Sequence, residues 1–120
     1  ASGKALLAFQ PDDQVEEIIQ RLGFEKYTSE TITDPVLFKK ELIQARKDSY
    51  ALDWGEMEEH VRCVASPIFN HEGRAVAAIG LSGPSNRITI HYMKNELAVI
   101  VKEIAEKASL KLGYNAKVIS

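Results

Sequence analysis

Asp53, His60 and Cys63 fall within eleven positions of one another, and their side chains are of the kind that hold zinc or form a thiol nucleophile. The His60 to Cys63 spacing is His-x-x-Cys. A structural zinc takes four ligands, however, and the next candidate, His71, lies about two strand lengths further on. Residues three apart on an extended segment point to opposite faces, which keeps a His60 base away from a Cys63 thiol. The plainer reading is a structural cysteine and a surface histidine. A lone cysteine forms no intrachain disulfide, which fits a reducing compartment.

Ser2, Gly3 and Lys4 invite a phosphate-loop reading, since glycine lets amides approach an anion and lysine neutralises it. The signature fails because no glycine stands four residues earlier and Ala5 occupies the Ser/Thr position. A helix starting near Ser2 would still present free amides to a carboxylate, or would be an ordinary capped helix. Glu56, Glu58 and Glu59 read as a solvated stretch. Trp54, the single tryptophan, is either a lid over a pocket or plain packing.

The elements that position these residues follow from periodicity. An apolar run at residues 5–9 suits a helix beginning at the start of the chain. Pro11, Asp12 and Asp13 precede Val15, Ile18, Ile19 and Leu22 at helical spacing, and Gly23 closes that run. Residues 28–33 read as an extended connector. Asp34 and Pro35 then start a helix over Leu37, Phe38, Leu42 and Ala45, reaching about Lys47. Residues 50–53, 61–69 and 74–82 are rich in β-branched, aromatic and small apolar side chains and read as strands. Asn70, His71, Glu72 and Gly73 make a hairpin loop between the last two. Met93, Leu97, Ile100, Val101, Ile104, Ala108 and Leu112 form the stripe of a final helix ended by Gly113. The order gives an α+β class with an antiparallel β-sheet and flanking helices. Three strands are few for so many helices, so the chain reads as part of a larger domain whose other strands lie upstream of Ala1.

Composition bounds the partners. The chain has 120 residues, 45% hydrophobic and 27% charged, enough for one globular core. With 15 Lys and Arg against 17 Asp and Glu, its net charge of −2 gives no basis for phosphate-backbone binding by this chain. The longest uncharged stretch, residues 75–86, has 12 residues, too short for a membrane span, and no charged-then-apolar leader opens the chain.

Strand alternation adds a sharper hint. Val61, Cys63 and Ala65 share one face of their strand, and Val76, Ala78, Gly80 and Ser82 share one face of theirs. A face lined by such small side chains accommodates either a closely packed helix or a small ligand.

In these landmarks the chain resembles the effector-binding domain of the IclR family of bacterial transcription regulators. The likeness rests on ASGKALLAF at the start, TSETITDP before the middle helix, SYALDWGEMEEHVRCVASPIFNHEGR, AVAAIGLSGPSNRIT, and a last helix ending in LGY. It implies a GAF/PAS-like sensor domain with a six-stranded antiparallel sheet, of which residues 1–120 are the C-terminal part. The winged helix-turn-helix domain, a linker helix and the first sensor strands would precede this chain. The family's effector site maps onto Ala1, Ser2, Gly3, Asp53, Val61, Cys63, Gly80 and Ser82. Ser49, Trp54, Gly55 and His60 interrupt the family's middle motif, with Trp54 and His60 placed to narrow the pocket mouth, and Gly80 stands where some relatives carry a serine hydroxyl.

The resemblance implies a cytoplasmic sensor that binds a small organic acid, with no cofactor, no metal and no catalytic residue. It touches DNA only through the absent N-terminal domain and assembles as a homo-oligomer, dimer or tetramer, with no membrane contact. An effector carboxylate would lie on the amides at Ala1 to Gly3 and the Ser82 hydroxyl, its apolar part on Val61, Cys63 and Ala78. Asp53 would accept from a ligand hydroxyl or from backbone amides, or else carry a proton. The rival readings are a small Cys63- or zinc-dependent hydrolase and a module whose main task is oligomerisation.

Overall fold

The computed structural model describes residues 1–21, 32, 34–55 and 60–114. Helix α1 (Ser2–Ala8) has no side-chain cap, and its first intrahelical bond runs from Ala5 N–H to the Ala1 carbonyl at 2.9 Å. Helix α2 (Asp12–Arg21) carries Asp12 and Asp13 in its first turn and Arg21 in its last, complementing the helix dipole at both ends. It buries Val15 and Ile19, while Ile18 faces solvent. Leu22, Gly23 and the connector expected at 28–33, apart from Ile32, lie outside the described residues. Helix α3 (Pro35–Asp48) starts as its sequence predicts: Asp34 accepts a bond from Val36 N–H at 2.9 Å, with Pro35 in the first turn.

Strands β1 (Ala51–Trp54), β2 (Val61–Phe69) and β3 (Ala75–Pro84) form an antiparallel sheet in the order β1-β2-β3. The hairpin between β2 and β3 turns on Asn70, whose Oδ1 accepts from Glu72 N–H and Arg74 N–H. Gly73 takes φ 77°, a conformation open to glycine at little cost.

Helices cover both faces. On one, Ala5, Leu7 and Ala8 of α1 join Val15, Ile19, Leu42, Ala45, Ala51 and Ala65 in a core. On the other, Val64 meets Ile88, Met93, Ala98 and Val101. The C-terminal helix departs from the expected stripe. A short turn, α4 (Ile90–Tyr92), leads into a π-helical segment over Met93–Leu97, and α5 (Ala98–Lys111) follows. Ala98 N–H bonds to the Met93 carbonyl, an i to i+5 bond that carries the buried face from Met93 to Ala98. The buried face then continues through Val101, Ala105 and Ser109. Ile100, Ile104 and Leu112, expected inside, are 43%, 42% and 48% exposed. Small residues let α5 lie close on the sheet, and Ser109 ties it there, its hydroxyl accepting from Phe69 N–H at 2.9 Å and donating to the Ala105 carbonyl. Gly113, at φ 89°, ends the helix as the sequence predicts.

The inward face is therefore testable by unfolding. Met93→Ala should cost about 2–5 kcal/mol in urea denaturation, whereas Ile104→Ala should cost no more than about 1 kcal/mol. Tyr50 packs beside the second core, and burial, reinforced by Asp48, raises its phenol above the ordinary value of 10.0. The fold favours the neutral phenol, so this contribution is fully present below about pH 10 and is lost as pH rises through the higher folded value. Tyr50→Phe should remove that alkaline loss, read as a flatter dependence of stability on pH above about pH 10.

Candidate functional site

Strand pairing decides which side chains can act together. Asp53 pairs with Cys63, and Cys63 with Ser82, so an acid, a thiol and a hydroxyl form one row across the three strands. The next row is Ala51, Ala65 and Gly80; on the other side Val61 pairs with Pro84. Directly paired residues point to the same face. Asp53, Val61, Cys63, Gly80 and Ser82 thus share a face: alternation predicts Val61 with Cys63 and Gly80 with Ser82, and the register joins the two pairs and adds Asp53.

Helix α1 lies on that same face and divides it. Ala51 and Ala65 are buried beneath it and Ala78 packs against the same core. Beyond them the row of Asp53, Cys63 and Ser82 has no large aliphatic side chain on it. Cys63 is half-buried and unpaired by any disulfide; Gly80, Ser82 and Val61 are exposed. Ala78 is a residue that the sequence assigns to the apolar part of a ligand. It stands four residues from Ser82, about 13 Å along the strand, and packs against the core that α1 joins.

The start of α1 approaches the acid end of the row. The Ala1 backbone nitrogen is 3.8 Å from Asp53 Oδ2, and Asp53 Oδ1 accepts a hydrogen bond from Gly55 N–H at 3.1 Å. Of the three settings open to Asp53 in the sequence, the structure thus provides acceptance from a backbone amide. Its side chain is only 15% exposed, so it is turned into the protein. Ser2 and Gly3 are exposed, and a methyl group built on Gly3 would meet nothing within 4 Å. Amides of a first helical turn lack intrahelical partners, so those of Ser2 and Gly3 are donors that the helix itself does not use. The row can consequently accept from and donate to a small polar molecule. Elsewhere, concavities of about 510 Å³ and about 480 Å³ lie between β2 and α5 and beside α3 and β1.

Several other candidates are not brought to this face. Trp54 lies on the opposite side of the sheet, packed against the second core with the Arg62 guanidinium 4.2 Å from its ring centre. The lid reading of Trp54 therefore falls, because strand parity turns it away from Asp53. The exposed His60 precedes β2, and its carbonyl accepts from Ser85 N–H at 2.8 Å. Lys4 does not join the amides of Ser2 and Gly3: its ammonium donates to the Leu52 carbonyl at 2.7 Å and to Glu41 at 3.0 Å. Short-range spacing carries no signal for those partners, which lie 48 and 37 positions away. Among the described residues no group of three or more His, Cys, Asp or Glu could hold a metal ion, and no helix is long and apolar enough to cross a membrane.

Gly80 keeps the two strands close. A Cβ there would sit 3.0 Å from the Val64 carbonyl oxygen and 3.3 Å from Ala65 Cβ. Gly80→Ala should cost about 1 kcal/mol or more in thermal unfolding through forced displacement of β3.

Comparison with known proteins follows the same lines. The family described as bacterial transcriptional regulator IclR C-terminal matches residues 1–110. The transcriptional repressor IclR of Escherichia coli K12 is 37% identical over 112 residues, which is 93% of this chain and 40% of the repressor. The crystal structure of the Thermotoga maritima IclR superposes with a TM-score of 0.90 at 40% identity, over 95% of this chain and 46% of that one. A double mutant of the PobR transcription factor inducer binding domain from Acinetobacter, in complex with 3-hydroxybenzoic acid, superposes with a TM-score of 0.83 at 28% identity, covering 90% of this chain and 62% of that one. These relatives are transcriptional regulators, not enzymes, and the chain spans about 40% of the length of the curated repressor.

Proposed function

The chain belongs to the bacterial transcriptional regulator IclR C-terminal family, and on that premise we propose that it is the effector-binding part of a DNA-binding regulator and senses a small organic acid without turning it over. The observation that carries this reading is the row of Asp53, Cys63 and Ser82 beside the uncapped start of α1. A carboxylate on the amides at Ala1 to Gly3 gains from both the unpaired donors and the dipole of α1. The Ser82 hydroxyl donates a further bond, Val61 and Cys63 support the apolar part, and Gly80 leaves the neighbouring position without bulk. Asp53, already accepting from Gly55, accepts a ligand hydroxyl as well. The PobR domain holds a molecule with both groups, a carboxylic acid bearing a hydroxyl.

No bond to the effector is made or broken, and no cofactor or metal is required. In the longer polypeptide, residues 1–120 supply part of the sensor, and an upstream winged helix-turn-helix domain contacts DNA; the net charge of −2 leaves that task to another segment. Assembly into a dimer or tetramer brings paired DNA-binding units to their half-sites. An effector changes operator affinity only by binding one arrangement of the sensor better than the other.

A thermal-shift panel of glyoxylate, pyruvate, gluconate and 3-hydroxybenzoate tests the reading. A binding acid at 100 times its Kd should stabilise the chain by about 2.7 kcal/mol. Ser82→Ala should weaken that acid about tenfold, and Cys63→Phe should abolish the shift. Ester hydrolysis lost in Cys63→Ser would instead establish a thiol enzyme, and no shift with any acid would overturn the proposal.

A further inference from the structure

Helix α1 has seven residues and is about 10 Å long, too short to hold its position by its own hydrogen bonds. Its grip on the sheet is also modest, since two of its three buried side chains, Ala5 and Ala8, are alanines. Two cations add to it. At the C-terminal end, Arg46 of α3 donates from Nε to the Ala8 carbonyl and from Nη2 to the Gln10 carbonyl, each at 2.8 Å. Nearer the N-terminal end, Lys4 reaches the Leu52 carbonyl, one residue before Asp53, and Glu41 of α3.

We infer that Lys4 is a positioning residue for the effector site: through Leu52 and Glu41 it sets the distance between the first turn of α1 and the Asp53 end of β1. Its side chain is 11% exposed and its bond to the Leu52 carbonyl is partly buried, so that bond is made where water competes weakly, whereas the Glu41 carboxylate is 45% exposed. With Arg46 holding the far end, loss of Lys4 lets α1 swing away from the row while its last turn stays docked. The inference rests on the effector-binding reading for its purpose, but its geometry can be measured without any ligand.

Cys63 is the single cysteine of the chain, is half-buried, and pairs with Asp53, whose Oδ2 is 3.8 Å from the Ala1 nitrogen, so its reaction rate with a thiol reagent such as dithionitrobenzoate reports how closely the first turn of α1 approaches that end of the row. In the ligand-free 120-residue chain, Lys4→Met should speed labelling about tenfold, the size of one lost charge-assisted hydrogen bond. Lys4→Arg should restore most of the protection. Glu41→Gln, at a side chain 45% exposed, keeps the fold and should speed labelling about threefold. Lys102→Met, on the opposite face of the sheet, should leave the rate unchanged. Unchanged labelling in both Lys4→Met and Glu41→Gln overturns the inference, as does an equal increase in Lys102→Met. Weaker binding of 3-hydroxybenzoate by Lys4→Met with unaltered labelling also overturns it, since Lys4 would then touch the ligand directly. If labelling changes as expected while no acid binds the parent chain, the effector reading fails and the positioning role stands.

Discussion

A sheet face without bulk governs this structure. Ala51, Ala65 and Ala78 leave space for a short helix to settle directly on the strands, and the location of the candidate site follows from where that helix begins. One register step beyond its cover, the paired residues change from alanine and glycine to Asp53, Cys63 and Ser82. Burying large aliphatic side chains there would have added stability, at about 25 cal/mol for each square ångström removed from water. Polar and small residues in that row forgo that gain and leave a surface able to hold a molecule.

The electrostatics of the row are divided. The amides of Ser2 and Gly3 present donors and the positive end of α1, while Asp53 presents a negative charge a few ångströms from Ala1. On the proposed reading, an anion alone would meet both attraction and repulsion, whereas an acid that also carries a hydroxyl would satisfy both ends. The bond from Gly55 N–H stabilises the Asp53 carboxylate in place and orients it. Lys4 of α1 bonds to the Leu52 carbonyl and the Glu41 carboxylate, and Arg46 of α3 to the carbonyls of Ala8 and Gln10, so both hold the scaffold in shape.

The opposite face shows the same economy of size with a different result. Ala98, Ala105 and Ser109 bring α5 close to β2, and the larger Val99, Ile100 and Ile104 remain at the surface. Helical spacing alone had placed Ile100, Ile104 and Leu112 inside, because hydrophobicity outranks size in a periodicity argument. Close helix-on-sheet approach reverses that ranking, and the π segment rotates the stripe by changing the residue step between Met93 and Ala98. The aromatic chain of Phe9, Phe69 and Tyr114 then ties α1, β2 and the end of the last helix together, with ring centres 5.1 and 4.9 Å apart.

The sequence by itself determined what depends on neighbouring residues: the Asp34–Pro35 helix start, the Asn70–Gly73 hairpin, the three strands to within two residues of their ends, and the parity that sets Val61 and Cys63 on one side and Gly80 and Ser82 on one side. Cap geometry, turn dihedrals and alternation are local, so they are legible in order. Only the tertiary structure decided that α1 would occupy the Ala78 end of the face and spare the Ser82 end. It alone turned Trp54 under Arg62 on the far side, and joined Lys4 to Leu52 and Glu41. Those outcomes depend on strand register and on contacts between segments tens of residues apart, where the energy of a residue is set by what reaches it and not by what it follows.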